Sequence, residues 1–189
     1  MKPYDTAVIF AGGKSSRMGQ DKSLLPFGKH KTLTAFQYEK LQTLFKTVYI
    51  STKEEKFDFD AKLIKDCYKD SSPLVGLLSI FETLDAEEVF VLSVDAPFVD
   101  TETIKHIMET DIEAYDAVIA KSPNGIEPLC GRYNKSILPL LQKHYSEENH
   151  RLQNLLHAAK TYTLSFKDDA LFTNLNHPKD YKEALKRLI

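Results

Sequence analysis

One stretch near the amino terminus carries the densest chemistry of the chain: Phe10-Ala11-Gly12-Gly13-Lys14-Ser15-Ser16-Arg17-Met18-Gly19-Gln20-Asp21-Lys22. Gly12, Gly13 and Gly19 permit backbone conformations that turn N–H groups toward a bound anion. Ser15 and Ser16 add hydroxyl donors. Arg17 and Lys22 place two cations where a triphosphate concentrates negative charge. The pattern is neither the GxxxxGK(S/T) loop of the P-loop enzymes nor the GxGxxG turn of dinucleotide-binding folds. It reads as a phosphate cradle of another kind. A second candidate is Asp95, a carboxylate that directly follows the apolar run Val89–Val94. It is either a ligand-facing group or the cap of a helix that starts nearby.

These residues need a frame that brings them together. Short apolar runs of β type alternate with amphipathic helical stretches. Strands are expected at Thr6–Phe10, Thr47–Ser51, Lys62–Ile64, Val89–Val94 and Ala117–Ala120. Helices are expected at Leu33–Leu44, Leu74–Leu84, Thr101–Glu109, Lys135–Tyr145 and Arg151–Ala159, with a last one after Pro178. A run such as Val-Phe-Val-Leu-Ser-Val is apolar throughout, as strands covered on both faces of a parallel sheet are. The expectation is a three-layer, doubly wound α/β fold with a mostly parallel sheet. In such folds ligands sit beyond the carboxyl ends of the strands, where both the cradle and Asp95 fall. Ile126–Tyr133 and Thr161–Ser165 are expected to form a small mixed-sheet extension near the site. No linker divides residues 1–189, so a single domain is expected.

Composition narrows the function classes. Twenty-five basic residues nearly balance 27 acidic ones, for a net charge of −2, which offers no general attraction for nucleic acid or membranes. Cys67 and Cys130 stand far apart and in no CxxC pattern, so reduced thiols in a cytoplasm fit better than a disulfide or zinc framework. No stretch approaches the ~18 apolar residues of a membrane span. His30, His106 and His144 read as surface residues.

The cradle resembles the nucleotidyltransferase signature (L/A)-x-G-G-x-S-x-R-M-G-x-D-K, here with Phe10 at the usual Leu. Its Gly-Gly form with Asp21-Lys22 is similar to the molybdenum cofactor guanylyltransferases, and the likeness runs over almost the whole chain. The resemblance implies a Rossmann-like nucleotidyltransferase fold, transfer of GMP from GTP to the terminal phosphate of molybdopterin, release of pyrophosphate, and Mg²⁺. It implies that Phe10, Ala11, Gly12, Gly13, Ser15 and Lys22 line the nucleotide. Ser51 stands where the family usually has an Asn that reaches guanine or ribose. Asp66 stands at a guanine-side carboxylate. Ser72-Pro73-Leu74-Val75-Gly76 resembles the family's G-P-L-A-G at a helix start. Asp95-Ala96-Pro97-Phe98 resembles D-x-P-(F/Y), whose Asp binds Mg²⁺.

The same resemblance places Glu127–Tyr133 toward the acceptor and Arg151 at a position suited to phosphate; an ordinary helix-start Arg is the other reading. Asn174 and Asn176 match the family's Asn pair. Asn176 is a candidate metal ligand through its side-chain oxygen, or the pair organises a turn before the last helix. His177 and Lys179 replace the family's Thr and Glu, so loss of the capping box is expected. Arg17, Lys22 and Asp95 are the implied catalytic residues. Implied partners are GTP, molybdopterin and, transiently, proteins that deliver and accept the cofactor. Three other readings stand beside this one: cytidylyl transfer to the same pterin, a sugar-phosphate nucleotidyltransferase, and a non-catalytic GTP-binding protein that hands the cofactor on.

Overall fold

The computed structural model describes residues 4–12 and 19–188. Strands β1 (Tyr4–Phe10), β2 (Phe45–Thr52), β3 (Lys62–Lys65), β4 (Glu88–Ser93), β5 (Ala117–Ser122), β6 (Gly125–Asn134) and β7 (Thr161–Ser165) form one sheet in the order β3-β2-β1-β4-β6-β5-β7. All pair in parallel except β6, which runs antiparallel to β4 and β5. The sheet is mostly parallel, as expected. The segments expected to form a small mixed-sheet extension are strands of this one sheet, and the mixed character comes from β6. Ile126–Tyr133 lies within β6, inserted between β4 and β5, and Thr161–Ser165 forms the edge strand. The short β5–β6 connection makes that hairpin local; a one-sequence reading of alternating β and α units misses it.

Helices α1 (Leu33–Gln42), α2 (Pro73–Thr83), α3 (Thr101–Glu109), α4 (Leu138–Ser146), α5 (Leu152–Ala158) and α6 (Pro178–Lys186) cover both faces. Alternate residues of each central strand point to opposite layers. Ala7, Ile9, Phe90 and Leu92 pack with residues of α1, α3 and α6. Val8, Phe10, Val89 and Val91 pack with α2, α4 and α5. This double coverage is why the strands are continuously apolar. Among the described residues no helix is long and apolar enough to cross a membrane.

Local chemistry sets the helix starts. Thr32 accepts the Ala35 N–H at 3.0 Å, Ser72 accepts the Val75 N–H at 3.2 Å, and Asp100 accepts the Thr103 N–H at 2.7 Å, each satisfying an otherwise unpaired helical donor. α4 begins later than expected, because a 3₁₀ turn at Lys135–Ile137, capped by Asn134, precedes it. The acidic half of the capping box at α6 is not lost: Asp180, not position 179, supplies the carboxylate and accepts the His177 N–H at 2.8 Å. His144 is buried rather than on the surface, held on the inner face of α4.

Candidate active site

Strand register explains why distant residues meet. Phe10 lies beside Ser51 on one side and Ser93 on the other, so the segments that follow β1, β2 and β4 leave the sheet together at its carboxyl edge. Ala11 N donates to Ser51 O at 3.0 Å, and Val94 N to Phe10 O at 3.0 Å. Gly13, Ser15 and Arg17 lie outside the described residues, but both flanks of the cradle are in view. Gly19 has φ +69°, a left-handed conformation that favours glycine. Asp21 accepts from Ser23 N at 3.0 Å and Ser23 Oγ at 2.7 Å, fixing the 3₁₀ turn Lys22–Leu24. The Lys56 ammonium then ties the two flanks, donating to Ala11 O at 3.2 Å and Asp21 Oδ2 at 2.6 Å. Burial alone would raise the Asp21 pKa; the bonds from Lys56 and Ser23 outweigh it and hold the carboxyl below its ordinary value.

Lys22 points from that turn onto Asp95, whose Oδ2 takes its ammonium. Ser93 Oγ donates to Asp95 Oδ1 at 2.5 Å, and Leu175 N donates to the Asp95 carbonyl at 2.9 Å. The same Lys22 ammonium lies 3.4 Å from Asn176 Oδ1. Asp95 is therefore not a helix cap; Asp100 does that for α3. The backbone of the Asn pair turns the chain (Asn176 N to Asn174 O, 3.1 Å), and Asn176 Oδ1 faces the Lys22 ammonium beside Asp95. Two hard oxygen donors, the Asp95 carboxylate and the Asn176 amide, converge on a point already attractive to a cation. That fits Mg²⁺, which takes one or two protein ligands and fills its shell with phosphate oxygens and water. Among the described residues no group of three or more His, Cys, Asp or Glu converges to hold a metal ion.

Two side chains of α1 hold the turn that carries Asp95. Gln37 Nε2 reaches the carbonyls of Ser93, Val94 and Ala96 at 3.0–3.4 Å. Lys40 donates to Pro97 O at 3.0 Å and Val99 O at 2.7 Å. Burial pushes the Lys40 pKa down to about 8.

Two adjoining recesses lie at this edge of the sheet, and Asp95 lines the larger of them. The smaller, about 110 Å³, is lined by Phe10, Gly12, Ser51, Asp66, Ser72, Pro73 and Gly76 among others. Asp66 Oδ1 is buried there without a hydrogen-bond partner. Burial raises the Asp66 pKa, and the charge of Lys53 partly opposes it. The Phe10 ring packs inward: a Cβ on Gly76 would come within 2.6 Å of Phe10 Cε1, so only the backbone of Phe10 is left for a nucleotide. The larger recess, about 440 Å³, is lined by Asp95, Glu127, Leu129, Arg151, Phe172 and Asn174 among others. Pro73, Ser93 and Leu129 border both. Arg151 is exposed at its rim. Sequence reasoning missed Gln37, Lys40, Lys56 and Ser93. None stands in a motif; a polar residue on the buried face of α1 was the one available signal for Gln37.

A cradle after β1, a carboxylate after β4 and paired recesses at the carboxyl edge of a mostly parallel sheet define a nucleotidyltransferase. The chain matches the MobA-like NTP transferase domain over residues 7–162. It is 40% identical over 183 residues to the molybdenum cofactor guanylyltransferase of Campylobacter jejuni subsp. jejuni serotype O:6, covering 96% of this chain and 95% of that one. It is 34% identical over 187 residues to the molybdenum cofactor guanylyltransferase of Helicobacter pylori strain G27, covering 96% and 92%. The chain belongs to the molybdenum cofactor guanylyltransferase family. Its fold is that of the Archaeoglobus fulgidus molybdopterin-guanine dinucleotide biosynthesis protein A, with TM-score 0.83, 22% identity, and coverage of 96% and 97%.

Proposed function

We infer that this enzyme transfers GMP from GTP to the terminal phosphate of molybdopterin, forming molybdopterin guanine dinucleotide and releasing pyrophosphate. The observation that carries the reading is the Lys22–Asp95 pair at a larger, mostly apolar recess that adjoins a small one holding the unpartnered Asp66 Oδ1. Asp66 suits guanine, whose N1–H and 2-amino group present two adjacent donors; cytosine offers no such edge. Ser51, Phe10, Ala11, Gly12 and, from its motif alone, Gly13 are assigned to the same base. Ser15, Arg17 and Lys22 are assigned to the triphosphate, with Lys22 and Arg17 neutralising the leaving pyrophosphate.

An oxygen of the acceptor phosphate forms a bond to the α-phosphorus of GTP, and the bond from that phosphorus to the bridging β-phosphate oxygen breaks, pyrophosphate leaving with the electron pair. The nucleophile is already ionised at pH 7, so no general base is needed; the protein positions and neutralises. Asp95 and Asn176 would hold Mg²⁺, which when bound supplies charge neutralisation and Lewis acidity at the phosphates. A cytoplasmic location, with transient contacts to proteins that deliver and accept the cofactor, belongs to the same reading; Cys67 and Cys130 are free thiols.

The deciding experiment is a pyrophosphate-release assay with each NTP, with and without molybdopterin. Release that needs both GTP and molybdopterin supports the reading. Release with CTP, or with sugar phosphates as acceptor, transfers it to those alternatives. GTP binding without release in any combination leaves a handover protein.

A further inference from the structure

The larger recess contains a carboxylate that the transfer chemistry does not use. Glu127 lines it from β6, half-buried, among Pro73, Pro128, Leu129, Leu152 and Phe172. Its Oε1 accepts the Ser122 hydroxyl at 2.9 Å, which fixes the carboxyl plane while leaving lone pairs on both oxygens. Among the described residues no Lys, Arg or His lies within ion-pair reach of it. Burial raises its pKa; the Ser122 bond opposes this, and the charges of Asp169 and Asp95 add to it. A half-buried carboxylate without an ion-pair partner in a mostly apolar cleft is costly, and such groups mark functional sites.

Glu127 repels phosphate whereas the Lys22 ammonium beside Asp95 attracts it, so an acceptor phosphate held at Lys22 leaves the ring system for the part of the recess that Glu127, Leu129 and Phe172 line. The apolar walls suit a flat heterocycle. The edge such a ring turns to a carboxylate must carry adjacent donors, and the 2-amino-4-oxopyrimidine edge of a pterin does, through N3–H and the 2-amino group. It is the same edge that guanine presents to Asp66.

We propose that Glu127 selects the acceptor by its aminopyrimidinone edge, so that one carboxylate reads each heterocycle of the product: Asp66 the guanine and Glu127 the pterin. The proposal rests on the reading that the acceptor carries a pterin. Glu127 is a specificity-determining residue here and takes no part in bond making.

The test compares 6-hydroxymethylpterin with 6-hydroxymethyllumazine, in which a carbonyl replaces the 2-amino donor, on the wild-type protein and on Glu127→Gln. Binding is followed by the fluorescence of the pteridine, and folding by circular dichroism. The wild type should prefer the pterin by about tenfold or more, the scale of one unmatched polar group. Glu127→Gln, whose amide can donate to the lumazine carbonyl, should lose most of that preference. In the transfer assay the same variant should raise KM for molybdopterin about tenfold and leave KM for GTP within about twofold. Equal discrimination by both proteins, or no preference in the wild type, overturns the proposal. Wild-type GMP transfer measured alongside keeps the two readings apart: transfer without a pterin preference removes only the role of Glu127, whereas no transfer at all removes the assigned reaction.

Discussion

The Lys22 ammonium rests on the Asp95 carboxylate, 73 residues further along the chain, with Asn176 Oδ1 3.4 Å from the same nitrogen. The two side chains are only 21% and 13% exposed. In this arrangement each neutralises the other, and on the proposed reading a ligand that brings both a cation and phosphates would take over both partners. Lys22→Ala is expected to lose about 10²–10³-fold in turnover at saturating GTP, as for other removed charge-stabilising groups. Asp95→Asn should abolish the dependence of the remaining activity on Mg²⁺. Turnover against Mg²⁺ concentration, with circular dichroism as the folding control, checks both. A folded Asp95 variant with the wild-type Mg²⁺ dependence would take Asp95 out of the metal site.

Asp66 carries a cost in stability. Its Oδ1 is buried without a partner and burial raises its pKa. The folded state therefore holds its proton more tightly than the unfolded state does. Stability falls as pH rises from the unfolded pKa through the folded one, and the cost is fully present at neutral pH. Asp66→Asn removes that cost, and its Tm at pH 7 should rise by on the order of 1–3 °C. The same change should weaken GTP binding about tenfold or more and flatten the preference over CTP. Melting curves at pH 7 beside GTP and CTP titrations read both effects; a lower Tm with intact guanine preference would contradict the assignment.

Much of this site was legible because its residues sit at strand ends. Apolar runs marked β1 and β4, and the residues just beyond them, Gly12 and Asp95, had to share an edge in any parallel arrangement. Asp66 was placed the same way, after β3. What stayed hidden depends on contacts between elements far apart in sequence. Gln37 and Lys40 look like the polar positions of an ordinary helix, and nothing local says that their partners are carbonyls at 93–99. Lys56 sits in a charged loop where one lysine reads like the next. The antiparallel insertion of β6 escaped because alternation of β and α elements predicts neighbours in a parallel sheet and says nothing of a hairpin strand wedged between them. The buried His144 escaped because histidine polarity outweighed its inward position on α4.

Gly76 is required by packing rather than by backbone freedom. It lies within α2, where alanine is favoured over glycine by about 0.8–1.0 kcal/mol. A Cβ there would stand 2.6 Å from Phe10 Cε1 and 3.3 Å from Ser51 Oγ. Overpacking of this kind costs about 1–3 kcal/mol, so Gly76→Ala should destabilise by up to about 2 kcal/mol and weaken GTP binding, because Phe10 and Ser51 both line the smaller recess, to which the base is assigned. Phe10→Leu should relieve the contact, and the double variant should recover most of the lost stability. Urea denaturation of the four proteins of this cycle gives the coupling directly; additive effects would show that the ring is not what excludes the methyl.

Lys40 gives the Asp95 turn a pH signature. Its nitrogen has two carbonyl partners, Pro97 O and Val99 O, and a neutral amine retains two N–H donors, enough for both. Burial lowers its pKa from 10.5 to about 8. Between those values the unfolded state binds more protons than the folded one, so the contribution of Lys40 to stability rises with pH across pH 8 to 10.5. Lys40→Met keeps the stem and removes both donors. The wild type should therefore gain on this variant by on the order of 1–2 kcal/mol from pH 7.5 to pH 10, a discounted figure because the side chain is not fully enclosed. At neutral pH the variant should also bind Mg²⁺ and GTP less well, since the turn that presents Asp95 loses two of its five tethers to α1. Urea denaturation at the two pH values and Mg²⁺ titration of activity at pH 7.5 separate the effects. A stability gap that does not widen with pH would mean that Lys40 is solvated and holds the turn only as an ordinary ammonium.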